Sequence, residues 1–71
     1  MRYDKAIEII RSTFSTVDVL KIVVEYDSLV EENVAKVFVR ESQLSEALKD
    51  NGVIARCAAM TSGLAVEVVV E

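Results

Sequence analysis

The one cysteine of the chain, Cys57, lies in the stretch RCAAMTSG (56–63), among small residues and just ahead of one of the two glycines. A reactive thiol needs its pKa lowered by a nearby cation, a helix N-terminus or a second thiol. There is no second cysteine and no histidine. Arg56 is adjacent, but neighbours on a strand point to opposite faces, which keeps its guanidinium away from the sulfur. Free cysteine is among the most buried residue types, so Val53, Ala55, Cys57 and Ala59 are expected to form an inward row. On this reading Cys57 is structural.

The other chemically capable groups also read as surface. Glu25, Asp27, Glu31 and Glu32 are acidic, but a calcium site of the EF-hand type requires a fixed ligand spacing and a central glycine that are missing here. Their placement suits a solvated hairpin end that discourages edge pairing. The hydroxyls of Ser12, Thr13, Ser15 and Thr16 fall at the C-terminal end of a helix, where the macrodipole disfavours anions. The only glycines, Gly52 and Gly63, form no phosphate-binding pattern. Without histidine there is no Ser-His-Asp or Cys-His nucleophile system and no imidazole metal ligand. No catalytic residue, cofactor or metal is therefore expected, and the chain reads as non-enzymatic.

The elements that would position these groups follow from periodicity. Residues 4–14 carry Ala6, Ile7, Ile10 and Phe14 at helical spacing, with Asp4 as N-cap and an end near Ser15. Residues 17–27 are β-branched and alternating, residues 28–33 are a polar connection, and residues 34–41 alternate again, which predicts a hairpin. Ser42, then Leu44, Ala47 and Leu48, then Asn51-Gly52 predict a short helix over 42–52. VIARCAAMT (53–61) reads as a third strand, Ser62-Gly63 as a tight turn, and 64–71 as a fourth strand with a near-continuous valine run.

Residues 1–71 are thus expected to form a single small α/β domain of the α+β class. The expected architecture is a two-layer sandwich in the order α-β-β-α-β-β, with two helices on one face of a four-stranded antiparallel sheet. That order matches a circularly permuted ferredoxin-like arrangement. In it the second and fourth strands would be central and the first and third would be edges. The helices would cover Leu20, Ile22, Val24, Val37, Val39, Val66, Val68 and Val70. The opposite face would show Val19, Lys21, Val23, Lys36, Phe38, Arg40, Glu67 and Val69, with nothing in the chain to cover it.

Composition narrows the use of that face. The chain is 52% hydrophobic and 28% charged, with a net charge of −4. A domain this small buries only about 60% of its unfolded surface. The acidic balance disfavours an electrostatic nucleic-acid binder. No apolar run approaches membrane-spanning length. Asp4 and Glu8 interrupt the place of a signal sequence, and a lone cysteine suits a reducing compartment, so a cytoplasmic location is expected. The resulting reading is a small intracellular protein-interaction module, a homodimer or a subunit of a larger assembly. Its interaction surface is Val23, Lys36, Phe38, Arg40 and Val69 on the uncovered sheet face. Two alternatives remain: single-stranded RNA binding through Lys36, Phe38 and Arg40, and a ligand-binding or enzymatic site formed between chains.

Overall fold

The computed structural model describes residues 3–71. Helix α1, Asp4–Thr13, is followed by strands β1, Val19–Asp27, and β2, Glu32–Val39. A 3₁₀ turn, Glu41–Gln43, leads into helix α2, Leu44–Ala47, and helix α3, Lys49–Ser62, and the chain ends in strand β3, Ala65–Val70. The sheet has three strands in the order β1-β2-β3. Strand β2 pairs antiparallel with β1 and parallel with β3.

The α+β class holds, but the two-layer sandwich of a four-stranded antiparallel sheet with two helices does not: the described residues form one three-stranded sheet and three α-helices. The difference lies in residues 53–61, which are helix α3 rather than a third strand. Alanine is the best helix former, and Ala55, Ala58 and Ala59 dominate this stretch. Ile54 and Ala58, four apart, fall on one helical face; Ala58 is fully buried and Ile54 packs on the core. The chain does break at Asn51-Gly52, but it resumes as helix. Asp50, Asn51 and Gly52 have φ of 55°, 59° and 75°, a left-handed turn inside α3. Because α3 is a crossover rather than a strand, β3 arrives parallel to β2, as a β-α-β unit requires. The permuted ferredoxin-like order is thereby excluded, and the valine-rich last strand is an edge rather than a centre.

The remaining boundaries move by smaller amounts. Asp4 is the first helical residue rather than the cap, which is Tyr3. Helix α1 ends at Thr13, whose hydroxyl donates to Ile9 O at 2.9 Å, a local bond that competes with helix continuation. Gly63, φ 79°, closes α3 with its N–H donating to Ala59 O at 3.0 Å. In the hairpin, the Leu29 N–H donates to Asp27 Oδ1 at 2.9 Å, and Glu31 turns the chain at φ 59°.

The core lies between the sheet and the helices. Ile10 of α1, Phe14 at its C-cap, Val17 just before β1, Ala58 of α3, Ala47 of α2 and Ala35, Val37 and Val39 of β2 are its buried members. Small residues on α3 let α1 lie close against it. A register shift between Val19 and Lys21 inverts the expected alternation there. Val19 packs on the core, whereas Leu20 is exposed.

Candidate interaction surface

Pairing register decides which side chains share the face opposite the helices. Lys21 stands beside Phe38, which stands beside Val69. One row further, Val23 is beside Lys36, which is beside Glu67; then Glu25 is beside Val34, which is beside Ala65. Alternation along each strand puts all nine on one side. The opposite parity, Ile22, Val24, Ala35, Val37, Val66 and Val68, packs into the core.

Four of the five residues expected to form the interaction surface, Val23, Lys36, Phe38 and Val69, therefore lie together across all three strands. Arg40 stands apart. It follows the end of β2, and its guanidinium is engaged by the Asp18 carboxylate, whose own backbone N–H donates to Gln43 Oε1. Val34 belongs to the face and was not among the expected surface residues. It is only 5% exposed, yet it lies outside the core cluster. Its parity with Lys36 and Phe38 was the available signal.

The face mixes apolar and charged side chains, with Phe38 and Val69 in one row, Val34 and Ala65 in another, and Lys36 and Glu67 in the row between them. Lys21 Nζ sits 4.8 Å above the Phe38 ring centroid, a cation–π contact. Lys36 Nζ lies 3.6 Å from Glu25 Oε1, diagonally across the two strands. Charge is also polarised along the strands. Lys21 is near one end, while Glu25, Asp27 and Glu32 gather toward the hairpin end.

Cys57 is exposed on α3 rather than inward on a strand. The inward row of Val53, Ala55, Cys57 and Ala59 does not form, because a helix turns Cys57 away from the side on which Ala58 is buried. Arg56 is held by the carbonyl of Asn51 in the left-handed turn. Among the described residues, no group of three or more metal-capable side chains converges, and no helix is long and apolar enough to cross a membrane. Neither a protein-family model nor a curated protein matches the chain.

Proposed function

We propose that this chain is a protein-interaction module that associates with a second copy of itself through the open face of its sheet. The observation that carries this reading is the trio of part-exposed apolar side chains Val23, Phe38 and Val69, one on each strand, on the side of the sheet opposite the residues that pack into the core. Apolar side chains grouped on an open face beside charges of both signs, Lys21, Lys36, Glu25 and Glu67, suit an interaction surface. The occupant it fits is another copy. A two-fold axis lying in the sheet plane, across the strands, reverses strand direction, so the Lys21 end of one face meets the Glu25–Asp27–Glu32 end of the other.

The same geometry supports protein over single-stranded RNA. Glu25 and Glu67 share the face with Lys21 and Lys36, and the net charge is −4, a balance that disfavours contact with a phosphate backbone.

The test is a dilution series followed by NMR. Methyl resonances of Val23, Val34 and Val69 and the ring of Phe38 are expected to shift with concentration, while those of Val37 and Val39 stay fixed. Concentration-independent spectra for the face would overturn the reading.

A further inference from the structure

Strand β3 is an edge whose protection is a single charged side chain, Glu67. Natural sheets blunt free edges with bulges, lysines, prolines or short irregular strands. Edge strand β1 has such protection, with the register shift at Val19/Lys21 and the charges of Lys21 and Glu25. Strand β3, AVEVVV, is regular along its whole register with β2 and has no lysine, proline or bulge. Such a regular edge is a template for another strand.

The direction of its backbone groups is defined. The Glu71 N–H donates to Val39 O at 3.0 Å, so residues of that parity, Ala65, Glu67 and Val69, turn their N–H and C=O toward β2. Val66, Val68 and Val70 turn theirs outward. Among the described residues, no hydrogen bond outside the strand ladder engages these outward groups.

From this edge we infer that two copies join antiparallel through β3, on a two-fold axis at Val68, to form one continuous six-stranded sheet. The register is selected by chemistry. Opposing residues must share a face, so a symmetric pairing is centred on one residue and its own copy. Centring on Glu67 would place two carboxylates side by side, which is destabilising. Centring on Val68 sets Glu67 opposite the partner's Val69, and Val66 opposite the partner's Val70. Every outward N–H and C=O of Val66, Val68 and Val70 then finds an acceptor or donor. The pairing also gives cover to Val70, which is 41% exposed in the single chain. This contact uses the backbone edge and stands apart from the open face. The two together hold at least four copies.

Two variants and a cross-link test it. Val68→Pro removes an outward N–H and leaves the β2 ladder intact, a position where an edge strand tolerates proline. Phe38→Ala strikes the open face alone. By sedimentation equilibrium, each variant is expected to halve the mass of the assembly, and the double variant to be monomeric. If Val68→Pro keeps the parent mass while Phe38→Ala halves it, the edge contact is wrong and the face reading stands. If only Val68→Pro lowers the mass, the face reading fails and the edge contact stands.

Should Val68→Pro fail to fold, cross-linking decides. In a Cys57→Ser background, Val68→Cys is expected to form a dimer disulfide, since paired Cα atoms lie about 5.5 Å apart, within the bonding range. Val70→Cys alone, opposite the partner's Val66, is expected to stay reduced. Equal or absent cross-linking at both positions would overturn the pairing.

Discussion

Replacing Phe38 by alanine separates folding from association. Within one chain the ring is half-buried, and its defined contact is the Lys21 ammonium at 4.8 Å. A cation–π contact at an exposed site contributes about 0.5–1 kcal/mol, so the cost to folding is expected to be about 1 kcal/mol once some ring burial is included. Truncating a fully buried aromatic such as Phe14, 1% exposed, is expected to cost about 3–5 kcal/mol. In the assembly the same Phe38 ring would be desolvated together with Val23 and Val69. Aromatic anchors there cost about 2–4 kcal/mol when truncated, which weakens the dissociation constant about 30- to 1000-fold. The assay is sedimentation equilibrium on parent and variant, paired with urea unfolding at a concentration where the parent is dissociated. The reasoning is refuted if Phe38→Ala destabilises the chain as much as Phe14→Ala while leaving association unchanged.

Other expectations follow from the core, the thiol and the surface charges. Ala58 is fully buried between α3 and α1, so Ala58→Leu is expected to overpack this contact by about 1–3 kcal/mol, read as a lower urea midpoint. Cys57 is exposed, so a thiol reagent should label the native chain about as fast as the unfolded one; strong native-state protection would place the side chain inside. A hydrogen bond from Lys49, at 2.7 Å, and one from the Thr16 hydroxyl, at 3.2 Å, hold the Glu46 carboxyl below its ordinary value of 4.5. That contribution is present above the ordinary value and lost as pH falls through the lowered one, so Glu46→Gln should flatten the acid limb of stability against pH. The Glu46 carboxylate in turn raises Lys49 above 10.5, and its contribution is lost only as pH rises past that raised value. Both groups are solvent-exposed, so added salt should shrink both slopes.

The parts of this fold that could be read from sequence are those where one period dominates. Ile10 and Phe14 lie four apart with polar residues between them, and both are buried as that spacing requires, Ile10 within α1 and Phe14 at its C-cap. Val37 and Val39 alternate with Lys36 and Phe38, and register places the two pairs on opposite faces of β2. Residues 53–61 satisfy two periods at once. Val53, Ala55, Cys57 and Ala59 alternate as a strand would, while Ile54 and Ala58 are spaced as in a helix, and small side chains weaken the contrast. Gly52 added to the error, because a left-handed turn inside a helix carries the same residues as a helix end. The bulge at Leu20 was likewise invisible, since its pattern of apolar residues continues unbroken through the register shift.

The open face was legible because it depends on local alternation in β1, β2 and β3, which survives the change in topology. The status of β3 was not. A valine run reports covered faces rather than the number of paired neighbours, and β3 has one neighbour, β2. The physical ground for expecting a second strand from another copy is the regular edge itself, where the outward backbone groups of Val66, Val68 and Val70 make no hydrogen bond outside the strand ladder among the described residues.

Sedimentation equilibrium of the unaltered chain, from low to high micromolar concentration, bears most directly on the central claim of self-association. The account predicts a mass that rises with concentration to a multiple of 7.8 kDa. A single 7.8 kDa species across the whole range would contradict it.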